Sequence, residues 1–474
     1  MTEERGTPDL GWGLIAGMML ATALAPLGST MIAVALPGIG RDLGTADADL
    51  TQWLVASYLI ASISLQSPGG RLGDRISHRR ALLLGLGLVA TGATLGFAVA
   101  TLPALVAARV LMAAGGAATV PAVMAILRNH VPPERRARAF GFFGACMGLA
   151  AAAGPLVGGE LTTRFGWRAI FAANLPVVAV SLALVLRNAR VLAHDAPTAP
   201  HPRFDVFGSA LLAVGISLPV LALRMTTPLA PWLAAGGVVL LIAFPFVERR
   251  QPAPVVDLDL FRNRAFLAGG LVVALQNLAM YALLFQLPIF FSTVRGGTAH
   301  DMGRALMALT LTMVATSLAG GRLSEELGAR AQVLLGSLMA LGGMYWFHDW
   351  TALATPADAV PGLVLIGAGV GLSSAPSQAA AMAGSTRANS GMAAGLLSTL
   401  RYLGGVVGIA LLGALMTDPT DPRSHAAPVI AYGAALACAA LLAGWLPRSA
   451  RKAAPLVALD GSVPDPGTAT GKPS

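Results

Sequence analysis

Long charge-free apolar runs recur from one end of the chain to the other, over 10–40, 50–70, 81–108, 139–159, 206–223, 225–247, 265–294, 331–348, 359–386 and 424–447. A bilayer hydrocarbon core of ~30 Å takes about 20 apolar helical residues to cross, so these runs predict membrane-spanning helices. Splitting them at Pro, Gly and polar punctuation gives fourteen helices, near 12–36, 50–68, 80–100, 103–127, 138–161, 168–188, 206–224, 230–247, 265–292, 303–322, 330–348, 360–383, 389–416 and 427–446. An even number puts both ends of the chain on one side of the membrane.

Composition agrees. Of 474 residues, 55% are hydrophobic and only 12% charged, where a soluble domain carries about 25% charged residues. The net charge of +9 does not point to nucleic acid, because the basic residues stand singly or in small groups between apolar runs. They read as topology signals instead. Of the 32 Lys and Arg, 23 fall in loops on the side of the termini and 7 in the opposite loops, while Arg109 and Arg401 lie within spans. Cytoplasmic loops hold the excess of basic residues, so both termini are expected in the cytoplasm. The 30 arginines against 2 lysines suit a GC-rich bacterial genome, so a multi-pass protein of the bacterial inner membrane is expected. Cys146 and Cys438 sit inside apolar runs, which indicates neither a disulfide framework nor a metal site. The first apolar run is too long for a signal-peptide core. No HExxH, GxSxG, GxxxxGK[ST] or CxxC pattern occurs, so no enzyme and no bound cofactor is expected.

An internal repeat organises the chain. Residues 69–85, GGRLGDRISHRRALLLG, and 320–336, GGRLSEELGARAQVLLG, agree at 8 of 17 positions without a gap and set Asp74 opposite Glu325. The two copies follow predicted helices 2 and 10. Parallel halves related by an axis along the membrane normal are a transporter architecture. The expected units are a six-helix bundle over 1–188, linkers with two additional helices over 189–264, a second six-helix bundle over 265–447 and a disordered cytoplasmic tail over 448–474.

Few polar residues remain to carry function. Asp74, among Gly70, Arg71, Gly73, Arg75, Arg79 and Arg80, either binds backbone N–H groups or an arginine of the other half, or merely neutralises its basic loop. Arg109 and Arg401 each either face a cavity or a partner, or snorkel to an interface, since a charge in mid-span costs about 2.5–3.5 kcal/mol. Gly154-Pro155 and Gly158-Gly159 make either a bendable helix or a plain tight crossing. Glu160 reads as the only carboxylate attached to a helix interior or rim, either solvated or a proton site. Gln276, Asn277, Tyr281, Gln286 and Gln378 are the polar groups of the second half. Asn277 and Tyr281 share a face that either lines a substrate cavity with Tyr58 and Gln378 or bonds between helices.

These residues resemble the major facilitator superfamily, in particular its fourteen-helix drug:proton antiporter branch. GGRLGDRISHRR is similar to that family's loop between helices 2 and 3, ARVLMAAGGAA to its helix 4 motif, and GPLVGG to its helix 5 antiporter motif. QWLVASYLI, GWRAIFAANLP, DLDLFRNRAF and RYLGGVVGIALL agree as well. The resemblance implies two six-helix halves rocking about a central site. It gives Asp74 and Arg75 a part in holding the outward-facing state, Arg109 a proton-linked role, and Gly154, Pro155, Gly158 and Gly159 the shaping of helix 5. The chain departs from the pattern at Gly28, where the family carries an acid, at Ala33 for an Asn, and at Ser77 and Ala150 for glycines.

The expected function is proton-coupled efflux of drugs or other amphipathic small molecules by alternating access, with the proton gradient as driving force and the monomer as the working unit. The alternatives are a carrier for one metabolite or self-made antibiotic without proton coupling, and a non-transporting membrane sensor.

Overall fold

In the computed structural model, residues 11–44, 51–99, 101–188, 205–222, 227–251, 254, 256–296 and 299–448 are described. All regular structure among them is helical. The first six helices are Trp12–Leu43 (α1), Ala56–Ile76 (α2), His78–Ala98 (α3), Leu102–His130 (α4), Pro133–Phe165 (α5) and Ala169–Arg187 (α6). A hairpin follows, Val206–Ala222 (α7) and Ala230–Glu248 (α8). The last six are Arg264–Thr293 (α9), Ala305–Ser324 (α10), Glu326–His348 (α11), Val360–Ala383 (α12), Ser390–Leu415 (α13) and Ala426–Leu442 (α14). The linker over 189–204 and the tail over 449–474 lie outside the described residues.

Local chemistry sets the helix ends. Proline opens α4, α5, α8 and α12 in the first turn, where its missing N–H leaves no bond unmade. Asn263 caps α9 by accepting from the N–H groups of Ala265 at 2.9 Å and Phe266 at 3.3 Å. α10 and α11 form one helical run bent at Gly328, whose φ of 74° and ψ of 157° no helix contains.

Twelve stretches among the described residues are long and apolar enough to cross a membrane, against the fourteen expected. α2 falls short because Ser57, Ser62, Ser64, Gln66, Ser67 and Arg71 dilute its apolar residues. α7 falls short in length, with an apolar core of Phe207–Pro219.

α1 to α6 pack on one another, with α4 against α2 and α3 and α1 against α5 and α6. α9 to α14 repeat that arrangement, with α12 against α10 and α11 and α9 against α13 and α14. The two groups meet along two main seams, α2 on α13 and α5 on α10. α7 joins the outside of α2, where Ser64 Oγ donates to the Ala213 carbonyl at 3.1 Å and lies 3.0 Å from Ser217 Oγ. Burial separates central from peripheral helices. Within the most apolar window, 83% of α4 is buried but only 11% of α8, which turns Val238, Val239, Ile242 and Phe246 outward.

The apolar clusters differ between the two ends of the molecule. Near Asp74, one cluster joins both groups, taking in Met18, Val123, Phe143, Phe266, Met392 and Leu397. At the opposite end each group keeps its own. Met31, Leu54, Leu105, Met112 and Trp167 belong to α1–α6 and their connecting turns, whereas Phe290, Leu309, Trp350 and Tyr432 belong to α9–α14 and theirs.

Candidate functional site

The repeated sequence explains how the seams form. In its first copy, a Cβ added to Gly69 would strike the Ala117 carbonyl of α4, and one added to Gly70 would strike the Gly391 carbonyl of α13. In the second copy, a Cβ on Gly320 would lie 3.0 Å from the Leu372 carbonyl of α12, and one on Gly321 would lie 2.7 Å from Arg138 Cα of α5. Each copy therefore uses its first glycine within a group and its second glycine between groups. Gly391, Gly395 and Gly141 complete the close approaches by meeting Gly70, Gln66 and Ser317. Backbones this near leave no room for side chains, which is why small residues mark the contact.

Asp74 closes the α2–α13 seam. Its Oδ1 accepts from the Gly391 N–H at 2.7 Å and its Oδ2 from the Met392 N–H at 2.8 Å. These are free N–H groups in the first turn of α13, where the helix dipole favours a carboxylate. The side chain is 1% exposed, so the bonds form out of water. Around it, His78 Nε2 lies 3.6 Å from Asp74 Oδ1 and 3.2 Å from Ser390 Oγ. Asn129 of α4 donates to Ser390 Oγ at 2.9 Å, and Arg128 donates to the Ser385 carbonyl. On the other seam, Ser317 Oγ donates to the Gly141 carbonyl at 3.1 Å. His78, Arg128, Asn129, Ser385 and Ser390 escaped the sequence reading. Their only signal was position, at the end of α4, in the motif loop and at the start of α13.

A second layer lies deeper. The Arg109 guanidinium is 1% exposed; its Nε donates to the Leu54 carbonyl at 3.2 Å and its Nη1 to the Gly28 carbonyl at 2.9 Å. It stands 4.0 Å over the Tyr58 ring, whose hydroxyl donates to the Ala25 carbonyl at 2.8 Å. From the other group, Arg401 Nη2 donates to Gln378 Oε1 at 2.5 Å. Its Nη1 lies 3.9 Å from Met147 Sδ, and its charge 5.7 Å from the Phe143 ring centre, so α13 reaches α5. Tyr58 is within electrostatic range of Tyr281 and Tyr402, and Arg401 of both latter tyrosines. The structure thus brings Tyr58, Arg109, Tyr281, Gln378 and Arg401 together and adds Tyr402, Phe143 and Met147.

Other candidates separate from this layer. Asn277 bonds to the Val273 carbonyl of its own helix at 2.7 Å. Gln276 ties α9 to Ser337 at 3.2 Å and Ser373 at 2.7 Å within one group, and Gln286 donates to the His425 carbonyl at 2.7 Å. Glu160 is exposed and paired with Arg164 one turn on. Nor is it the only carboxylate at a helix rim. Glu248 is 1% and Asp205 8% exposed at adjoining ends of α8 and α7, and a Cβ on Gly208 would meet both. Glu248 Oε1 accepts from the Val256 N–H at 2.8 Å, which ties the hairpin to the connector leading into α9. Gly154 packs against Thr30 of α1 and Gly158 is buried, so the helix 5 motif makes a tight α1–α5 crossing, while Gly159 meets open space. Arg75 is exposed, and Arg79 Nε is buried without a hydrogen bond. The side chains of Glu325 and Pro155 lie outside the described residues. No group of three or more His, Cys, Asp or Glu among the described residues could hold a metal.

The profile described as Major Facilitator Superfamily matches residues 18–409. The chain is 34% identical over 409 residues to the "Uncharacterized MFS-type transporter YvkA" of Bacillus subtilis, covering 85% of this chain and 90% of that one. It is 30% identical over 423 residues to the "Puromycin resistance protein pur8" of Streptomyces alboniger, covering 87% and 83%. Among solved structures, the human organic anion transporter MFSD10 matches with a TM-score of 0.66 at 18% identity, over 91% of this chain and 99% of that one, a likeness of fold.

Proposed function

The chain belongs to the major facilitator superfamily, and from that premise we propose that this membrane transporter exports amphipathic small molecules by alternating access. The distribution of contacts supports this reading best. Polar bonds, backbone contacts and one apolar cluster join the two groups at the Asp74 end, whereas at the other end each apolar cluster of the described residues stays within one group. A central layer of Tyr58, Arg109, Tyr281, Gln378 and Arg401 lies beyond the closed end. That is the arrangement of a carrier open on one side. With 23 basic residues in the loops of the terminus side, including those around Asp74, the closed end is cytoplasmic and the structure faces outward.

In this reading α2 and α7 also cross the bilayer, giving fourteen crossings and cytoplasmic termini. α1–α6 and α9–α14 are the rocking halves, and α7–α8 rides on α2. Opening inward requires α13 to release Asp74 and α10 to slide from Gly141. The glycine seams permit this because they carry few interlocking side chains. Asp74 and Gly70, with Arg75, Arg79 and Glu325 beside the seams, form the gate, and the proton gradient supplies the driving force to a monomer.

One observation favours a second reading, a carrier for a single metabolite or self-made antibiotic that runs without protons. Gly28 stands where the family carries its helix 1 acid, and its carbonyl accepts from Arg109 instead. Reconstituted protein separates the two. Uptake of many compounds that collapses with the pH gradient is the expected result; uptake of one compound indifferent to that gradient selects the second reading.

A further inference from the structure

The spans hold an unusual balance of charge. No Asp or Glu occurs over 10–41, 50–73, 75–133, 135–159, 260–300, 302–324 or 359–417, which takes in all but the ends of α1, α2, α4, α5, α9, α10, α12 and α13. Arg109 and Arg401 stand within those same helices. A charge kept at membrane depth is retained only with a partner or a water-filled cavity. Neither arginine forms an ion pair among the described residues.

Their surroundings differ in a telling way. Arg109 is sheathed by the Gly28 and Leu54 carbonyls and the Tyr58 ring, and its Nη2 is buried with no hydrogen-bond partner. It supplies positive potential from behind Tyr58. Arg401 is half-buried, and its neighbours are a neutral amide, a thioether and an aromatic ring: Gln378 Oε1 at 2.5 Å, Met147 Sδ at 3.9 Å and Phe143 at 5.7 Å. The Tyr281 and Tyr402 hydroxyls lie within electrostatic range of it. The layer therefore presents a guanidinium fork without a carboxylate, phenolic hydroxyls, and ring faces from both groups. A planar fork of this kind is the usual partner of carboxylates and phosphates. A cationic compound would add a third positive charge with nothing to balance it.

We infer that the central layer binds an anionic aromatic small molecule, with Arg401 as the group that takes its negative charge. The aromatic body lies among Tyr58, Phe143, Tyr281 and Tyr402, and Gln378 orients the fork. This deepens the export reading above by naming the substrate class, and rests on it only for what binding leads to.

Two xanthene dyes of similar shape and opposite charge, carboxyfluorescein and rhodamine 6G, test the inference by fluorescence polarisation on the full chain in detergent. Wild-type protein is expected to bind carboxyfluorescein and to compete poorly for rhodamine 6G. Replacing one charge-assisted contact, R401Q should weaken carboxyfluorescein about 10–100-fold, while R401K, which keeps the charge, restores most of it. Preference of the wild type for rhodamine 6G, binding of neither dye, or an R401Q variant that binds carboxyfluorescein as well as wild type would each overturn the inference. The wild-type comparison decides even if R401Q does not fold. Transport of the same dyes in proteoliposomes is read separately. If carboxyfluorescein binds through Arg401 yet neither dye moves, export fails and the anion site stands; if rhodamine 6G alone is bound and moved, export stands and the anion site fails.

Discussion

Asp74→Asn perturbs the gate with almost no change of shape. The wild-type carboxylate accepts from two N–H groups, at 2.7 and 2.8 Å, on the first turn of α13. An asparagine keeps one acceptor and turns its NH2 toward the other N–H, so one bond is lost and the second is no longer charge-assisted. Hydrogen bonds to charged groups contribute about 1.5–3 kcal/mol, and the interaction with the helix end about 0.3–2 kcal/mol. The closed state should therefore lose about 3 kcal/mol, which shifts the equilibrium between closed and open gates about 100-fold. Spin labels at Arg80 and Arg387, both exposed and on opposite groups beside the seam, report the change in a chain freed of Cys146 and Cys438. Electron-electron distance measurements should show one short distance in wild type and a substantial longer population in D74N. Superimposable distributions would refute the assignment of Asp74 as the latch.

Three further outcomes follow from single residues. Ser77 is the only non-glycine with positive φ among the described residues, at 91°, so S77G relieves backbone strain of about 1–3 kcal/mol while losing a few tenths from the Ser77 bond to the Arg80 N–H; thermal unfolding in detergent should rise, and a fall would refute the strain. At Gly28 an added Cβ meets only Met112 Cε at 3.5 Å and Asn174 Oδ1 at 3.8 Å, so G28D fits and places a carboxylate near Arg109. Dye binding should then shift toward the cationic xanthene by about tenfold, and an unchanged preference would detach Arg109 from substrate charge. Glu160 and Arg164 side chains are 59% and 68% exposed, so E160Q should leave the pH profile of transport unaltered, whereas a lost pH dependence would return Glu160 to the proton pathway.

The helices were legible because apolar runs of bilayer length have one physical use, and the repeat was legible because both copies solve the same packing problem. Gly70 and Gly321 meet the opposite group's backbone, and Ser77 and Gly328, at matching repeat positions, share positive φ. Helix ends were less legible. α1 runs to Leu43 and α5 begins at Pro133, beyond the apolar stretches, because polar turns outside the hydrocarbon core continue a helix at no bilayer cost. Partners were least legible. Period and face place Asn277 and Tyr281 alike on α9, yet Asn277 bonds back to the Val273 carbonyl of its own helix while Tyr281 comes within electrostatic range of Arg401, a distinction set by neighbouring helices. Asp205 and Glu248 read as linker charges, and only the closure of the α7–α8 hairpin buries them side by side.

Gradient-driven uptake into everted vesicles tests the export account most directly. With the chain present and a pH gradient imposed, acid inside, accumulation across a panel of amphipathic compounds is predicted, with carboxylated aromatics foremost and D74N impaired. No accumulation of any compound above vesicles lacking the chain would contradict it.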